Sequence, residues 1–169
     1  MENREIERKW LFNSQDIPRK LSPTITHYRQ AYINLEPEVR IRSRIVERDG
    51  ELGEETYKLC LKSTGALSRI EVQKELSFNE FKDLMLLGNL KESDFAQKHY
   101  YTIPVSGYEL TVGVVDEGTP NEFCYGEIEF PSEEAANAFV PPSWFGEDVT
   151  NDSSYKMKNY WARTRRGVK

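Results

Sequence analysis

Regular alternation of apolar and charged residues is the feature that most constrains the fold of this chain. In the segment EVRIRSRIVER, residues 38–48, Val39 and Ile41 share one face, and arginines occupy the other face at Arg40, Arg42 and Arg44. A period of two is typical of a β-strand with one buried face. The chain is therefore predicted to consist mainly of strands.

The same alternation recurs along the chain and predicts eight strands, at residues 6–12, 27–34, 38–48, 56–63, 69–77, 98–103, 108–115 and 124–130. Gly50 and Gly53 are predicted to form a hairpin turn after the third strand. Three amphipathic segments predict helices. The first, NEFKDLMLLG, would be capped by Asn79 and would stop at Gly88. The second opens with Ser132, and the third runs from about residue 152 to residue 166.

Length and charge limit the classes of function. A chain of 169 residues with a formal net charge of −5 suits a single domain, residues 1–169, and argues against nucleic-acid binding. Two cysteines make no disulfide framework and no metal-spaced pair. The first residues show no charged segment followed by an apolar one, so we expect no signal peptide, and no apolar stretch is long enough to cross a bilayer. We expect a soluble cytoplasmic protein without a membrane or nucleic-acid partner, as a monomer or a homodimer.

Charges of one sign are sorted onto particular strands. Glu5 and Glu7 lie on the first strand, arginines on the third, and Glu127 and Glu129 on the last. Solubility alone would be served by mixed signs. Amphipathic helices need the apolar face of a sheet to pack on, which leaves the charged face for the inside of a closed sheet. An eight-stranded antiparallel barrel has room inside for one small ligand. Carboxylates opposite guanidinium groups suit a polyphosphate with a divalent cation.

The order of short motifs resembles that of the CYTH superfamily, also called triphosphate tunnel metalloenzymes. EIERKW resembles the ExExK signature of that family. The later family blocks resemble, in order, YRQAYIN, VRIR, the strand ending in Lys62, RIEVQ, Lys98, VVDEG, GEIEFPS and PPSWFGEDVTNDSSYKMKNYWA. The resemblance implies an α+β fold, a closed eight-stranded antiparallel β-barrel with helices on the outside. It also implies a metal-dependent enzyme that acts on a triphosphate.

The resemblance further implies roles for individual residues. The implied catalytic residues are Glu5, Glu7, Lys9 and Glu129. The implied Mg²⁺ or Mn²⁺ ligands are Glu5, Glu7, Glu71, Asp116, Glu127 and Glu129. The implied triphosphate-binding residues are Lys9, Arg40, Arg42, Lys62, Arg69 and Lys98.

Two residues depart from the family pattern. Gln73 stands where the family has a second glutamate, and Tyr100 stands where an arginine is common. Losing one acid and one base leaves the inner charge balance unchanged, and we expect its effect on the number of metal ions or on the phosphate register. The leading hypothesis is hydrolysis of tripolyphosphate or of an organic triphosphate such as thiamine triphosphate or ATP. The alternatives are a class IV-type adenylate cyclase, which forms cyclic AMP and pyrophosphate, and a non-catalytic polyphosphate- or nucleotide-binding module.

Overall fold

A computed structural model describes residues 4–168. Nine strands and three α-helices form the described part of the chain. The strands are β1 Arg4–Leu11, β2 Ile25–Leu35, β3 Glu38–Arg48, β4 Glu51–Leu52, β5 Thr56–Lys62, β6 Ser68–Leu76, β7 Ala96–Val105, β8 Tyr108–Val115 and β9 Phe123–Glu129. The helices are α1 Phe78–Leu87, α2 Glu133–Ala138 and α3 Met157–Arg166.

Eight of the strands close into an antiparallel barrel. The strand order is β2-β7-β8-β9-β1-β6-β5-β3, and a long β2–β3 pairing joins the two ends of that series. The short strand β4 pairs only with the end of β3 and lies outside the closed ring. It begins directly after Gly50, whose φ of +80° supplies the left-handed conformation that the predicted turn requires. The predicted eight-stranded α+β barrel is therefore confirmed, with one additional strand.

Two predicted helix starts were wrong. Helix α1 is capped by Ser77 rather than Asn79, because the Ser77 hydroxyl accepts from the Glu80 amide and the Glu80 carboxylate accepts from the Ser77 amide. The last predicted helix is divided in two. Asp152 caps a short 3₁₀ turn at Ser153–Tyr155, and α3 begins only at Met157 because Lys156 is extended. The stop at Gly88 and the cap at Ser132 are confirmed.

The apolar core lies outside the barrel wall, between the strands and the segments packed on them. One cluster joins Trp10 and Leu110 to Phe139, which follows α2. A second cluster joins Ile41 to Phe81 of α1 and Trp161 of α3. Full burial of each such side chain stabilises the fold by roughly 1.5–3 kcal/mol. Because the apolar faces are used here, the charged faces of these strands point into the barrel.

No helix in residues 4–168 is both long and apolar enough to cross a membrane.

Candidate functional site: a charged tunnel

Strand register brings the charged faces together inside the barrel. Glu7 lies opposite Glu129 and Lys9 opposite Glu127 across the β1–β9 pair. A cavity of about 200 Å³ fills the interior. Its basic lining residues are Lys9, Arg40, Arg42, Lys62, Arg69, Lys98, Lys156 and Lys158, and its acidic lining residues are Glu5, Glu7, Glu38, Glu71, Glu127 and Asp152. Eight bases therefore face six acids, inside a protein whose net charge is −5. We call this cavity the tunnel.

One side of the tunnel is a network of paired charges. Lys62 Nζ donates to both oxygens of Glu5, at 3.0 and 2.8 Å, and lies 3.2 Å from Glu71 Oε2. Arg69 Nε donates to Glu5 at 2.9 Å, and Arg69 Nη2 donates to Glu7 at 2.9 Å. Burial opposes ionisation of Glu71, but Lys62 holds its pKa at about 2. Glu5, Glu7 and Glu71, paired with Lys62 and Arg69, form what we call the acidic wall of the tunnel.

Among the carboxylates of this wall, Glu7 is the one whose negative charge is least neutralised by neighbouring cations. Burial, followed by repulsion from Glu127 and Glu5, raises the pKa of Glu7 from 4.5 to about 7, against the opposing effect of Arg69. Like charges held close in a low-dielectric site favour the protonated form in this way. A bound cation would relieve the repulsion and return Glu7 to its ionised form.

The opposite side of the tunnel holds cations without acidic partners. Within residues 4–168, Arg40, Arg42 and Lys98 form no ion pair with a carboxylate. The Nε atoms of both arginines are buried and lack a hydrogen-bond partner. Lys98 is only 2% exposed, and its burial, together with the nearby charge of Arg40, lowers its pKa well below the ordinary value. Buried cations and buried N–H donors without partners lower the stability of the fold unless an anion binds to them. We call these three residues the basic wall.

Lys9 and Glu127 link the two walls. Lys9 Nζ lies 3.0 Å from Glu127 Oε1, donates to the Tyr155 carbonyl oxygen at 3.2 Å and stands 4.5 Å from the centre of the Tyr125 ring. Burial by itself would raise the pKa of Glu127, but Lys9 and Lys98 hold it below its ordinary value. Glu127 is therefore an ionised carboxylate deep in the tunnel.

The acidic wall has the donor chemistry that a hard divalent cation needs. Mg²⁺ and Mn²⁺ prefer carboxylate oxygens, which Glu5, Glu7 and Glu71 supply. In the described residues, however, no three acidic, histidine or cysteine side chains converge on one point. Lys62 and Arg69 occupy the oxygens of Glu5, so metal binding would require these carboxylates to exchange ammonium and guanidinium partners for the ion. The residues fit the ion, with that rearrangement.

Asp116 does not lie in the tunnel, and its assignment as a tunnel metal ligand is corrected. Strand β8 directs Val115 towards Lys98, and Asp116 follows with a φ of 48° that turns it away. Its carboxylate accepts hydrogen bonds from Arg165, at 2.5 and 2.8 Å, and from the Tyr160 hydroxyl. Asp116 therefore anchors α3 to the barrel.

Glu129 also stands apart from the tunnel lining. It is exposed at the end of β9, although burial of part of the side chain, with repulsion from Glu5 and Glu71, raises its pKa. Its place is the rim next to the acidic wall, and its catalytic and metal-binding roles stay predictions.

The two departures from the family pattern are both found in the tunnel lining. Gln73 Nε2 donates to Glu71 Oε1 at 2.5 Å, so it restrains a carboxylate and adds no charge. The Tyr100 hydroxyl lies 2.7 Å from that of Tyr125, and Lys98 Nζ lies 4.5 Å from the centre of the Tyr100 ring. An aromatic ring thus replaces the usual arginine next to Lys98.

Several lining residues were missed by the sequence analysis. Glu38, at the start of β3, lies opposite Lys62 and 3.8 Å from Arg69 Nη1. Lys156 and Lys158 lie just before and inside α3, and both line the tunnel. The parity of Glu38 with Arg40 and Arg42 was a readable signal. No sequence pattern showed that the segment before α3 returns to the mouth of the barrel.

Comparisons with known proteins agree with this geometry. The chain is 35% identical over 155 residues to an inorganic triphosphatase of Nitrosomonas europaea. The aligned region covers 91% of this chain and 94% of that relative. It is also similar to the crystal structure of an inorganic triphosphatase, with 29% identity, 92% of each chain covered and a TM-score of 0.55. A conserved hypothetical protein from Pyrococcus furiosus shares the fold, with 18% identity, 98% of this chain and 91% of that chain covered, and a TM-score of 0.50. No protein-family model matches the chain.

Proposed function

The chain belongs to the CYTH superfamily of triphosphate tunnel metalloenzymes, and on that basis we propose that it hydrolyses a triphosphate in its tunnel with the help of a divalent metal ion. The observation that supports this most is the basic wall, where Arg40 and Lys98 are buried, Arg42 is half-buried with a buried Nε atom, and none of the three has a carboxylate partner among the described residues. The similarity to a relative named inorganic triphosphatase favours inorganic tripolyphosphate as the substrate.

A chain of phosphates would complete the basic wall. Arginine binds phosphate oxygens in a bidentate manner, and the unpartnered Nε atoms of Arg40 and Arg42 are free to take part. Each close pair of opposite charges is worth roughly 4 kcal/mol near a protein surface before desolvation. Much of that desolvation has already occurred during folding, because these side chains are buried in the free protein. The wall is therefore preorganised for an anion.

The acidic wall would hold the metal ion, Mg²⁺ or Mn²⁺, through Glu5, Glu7 and Glu71, with Glu127 and Glu129 nearby. When bound, such an ion neutralises phosphate oxygens and lowers the pKa of a coordinated water. Lys62 and Arg69, now paired with these carboxylates, would become available to the substrate as the carboxylates turn to the ion.

Hydrolysis then needs positioning and one proton transfer. The attacking water forms a bond from its oxygen to phosphorus, and the anhydride bond between that phosphorus and its bridging oxygen breaks. Lys9 and the basic wall hold the charged oxygens in line. A carboxylate next to the metal ion would orient the water, accept its proton and pass that proton to the departing phosphate.

The direct test is side-by-side incubation of the protein with tripolyphosphate, thiamine triphosphate and ATP, each with Mg²⁺, with Mn²⁺ and with a chelator. We expect metal-dependent release of phosphate, first of all from tripolyphosphate. Cyclic AMP from ATP would instead identify an adenylate cyclase. Thermal stabilisation by these compounds without turnover would identify a binding module.

Arg42→Ala supplies the matching test of the site. We expect it to abolish phosphate release while the protein still folds, because Arg42 lines the tunnel. Arg44→Ala is the control, since Arg44 shares the strand and the face of Arg42 but lies outside the tunnel lining. Equal turnover by both variants and the unmodified protein would remove Arg42 from the site.

We propose that the protein works in the cytoplasm, with a small triphosphate as its partner, as a monomer or a homodimer. Light scattering of the purified protein distinguishes these two oligomeric states.

A further inference from the structure

The lining of the tunnel reaches one end of the barrel and stops short of the other. Neighbouring strands are antiparallel, so the start of β3 and the end of β5 lie at the same end as the loop between β5 and β6. The tunnel lining continues to this end, where it includes Ala66, Asp152 and Lys156. We call this the α3 end.

Towards the other end the lining stops in the middle of the strands. On β3 it includes Arg42 but not Arg44, and on β6 it includes Gln73 but not Glu75. On β2 it includes Tyr32, whereas Tyr28, farther along the same inward face, lies outside it. Other side chains therefore occupy the interior of the barrel at the level of Arg42 and Lys98.

A cluster of three tyrosines, Tyr28, Tyr100 and Tyr125, occupies that level. The rings of Tyr28 and Tyr100 meet edge to face with their centres 5.1 Å apart, and the Tyr100 and Tyr125 hydroxyls are 2.7 Å apart. Lys98 Nζ lies 4.5–5.8 Å from all three ring centres. We call these residues the tyrosine cluster.

Gly113 makes room for the cluster. It lies opposite Tyr100 on β8, and a Cβ atom at this position would stand 2.5 Å from a carbon of the Tyr100 ring. The inward positions of β7 and β8 near the cluster, Thr102 and Thr111, are uncharged. In the described residues, the inward positions of β7 and β8 beyond Lys98 therefore carry no cation, and the nearest inward cations outside the lining are Arg44 of β3 and Lys58 of β5.

We propose that the tyrosine cluster closes the tunnel, so that a phosphate chain enters from the α3 end with its terminal phosphate first and is cut only near that terminus. This inference rests on the proposed function and adds a selection rule to it. A substrate needs one free phosphate end, which settles against Lys98, and the rest of the molecule extends past Lys156 towards solvent. A ring of phosphates, or the middle of a long chain, cannot be seated.

The test uses long-chain linear polyphosphate, cyclic trimetaphosphate and tripolyphosphate, with products separated on gels early in the reaction. For the unmodified protein we expect phosphate or pyrophosphate from both linear substrates, slow shortening of the long chain and no cleavage of the ring. Tyr100→Ala opens the closed end, so fragments of intermediate length should appear. Tyr100→Phe keeps the ring and loses only the hydroxyl contact with Tyr125, so it should retain end-first shortening.

Each result decides a different point. Fragments of intermediate length from the unmodified protein, cleavage of the ring, or an uncut long chain beside hydrolysed tripolyphosphate would overturn the inference while the proposed function stands. No phosphate from tripolyphosphate would overturn the proposed function and this inference with it. If Tyr100→Ala does not fold, as judged by thermal unfolding, Tyr28→Ala replaces it. A folded opening variant with the unmodified product pattern would show that the tyrosines do not close the tunnel.

Discussion

Replacing Glu7 with glutamine should change how the stability of the metal-free protein depends on pH. The Glu7 carboxylate is 15% exposed, and burial with repulsion from Glu127 and Glu5 raises its pKa from 4.5 to about 7. Arg69, whose Nη2 donates to Glu7 at 2.9 Å, offsets only part of this rise in pKa. Ionisation of Glu7 therefore opposes folding when no cation is bound.

The sign and size of the effect follow from the shift in pKa. Between pH 4.5 and 7 the folded protein binds more protons at Glu7 than the unfolded chain, so the free energy of unfolding falls as pH rises. The relative stabilisation is fully present below pH 4.5 and is lost once pH exceeds about 7. At roughly 1.4 kcal/mol per pKa unit, the shift corresponds to about 3 kcal/mol, most of which develops between pH 5 and pH 8.

Urea unfolding at pH 5 and pH 8, with a chelator present, measures this quantity. Relative to the unmodified protein, Glu7→Gln should gain 2–3 kcal/mol of stability, in order of magnitude, on going from pH 5 to pH 8. Glu75→Gln is the control. Glu75 lies on the inward-facing side of β6 but is exposed to solvent, so its substitution should give no such gain in stability. An identical difference between Glu7→Gln and the unmodified protein at both pH values would refute the reasoning.

Two further predictions concern buried charges. Burial lowers the pKa of Lys98, so ionisation of this side chain opposes folding below about pH 10. Lys98→Met should therefore raise the melting temperature at pH 7 and raise it less above pH 10. The same substitution should abolish the increase in melting temperature that tripolyphosphate gives the unmodified protein. Arg165→Ala leaves the Asp116 carboxylate buried without its cation and should lower the free energy of unfolding by about 3–5 kcal/mol, measured in urea. Arg163→Ala, at an exposed position of α3, should change it by less than about 0.5 kcal/mol, and a similar loss in both variants would contradict the assigned role of Asp116.

The barrel could be predicted from the sequence because alternation is a local property. Each predicted strand agrees with an observed one to within two residues at either end, and Lys62, Arg69 and Lys98 face inward as their positions required. The error at Asn79 was also local. The sequence Ser77-Phe-Asn-Glu80 contains a capping box, whose serine and glutamate satisfy each other's backbone amides better than an asparagine two positions later would.

Asp116 shows where resemblance and parity disagree. The motif VVDEG implied that this aspartate is a metal ligand near the tunnel, but Val115 is the inward residue, and consecutive residues of a strand face opposite sides. Parity would have identified the error. The tyrosine cluster had no comparable signal, because its closure depends on the contact of Tyr100 with Gly113 and Tyr125, which are distant in the sequence. The prediction of a single domain over residues 1–169 stays a prediction.

The distribution of charge gives the tunnel a selectivity that the net charge conceals. The formal net charge of the whole protein is −5, yet the tunnel lining contains eight bases and six acids. The residues outside the tunnel therefore carry a more negative net charge than the whole protein does. We expect the surface outside the tunnel to repel large polyanions such as nucleic acids, whose binding needs an extended positive face. A short phosphate chain escapes most of this repulsion once it enters, because exposed charges are screened beyond about 8 Å at physiological ionic strength whereas buried charges are screened much less. We therefore expect the protein to favour small anions over large ones, and the proposed closure at Tyr100 would add the requirement for a free phosphate terminus.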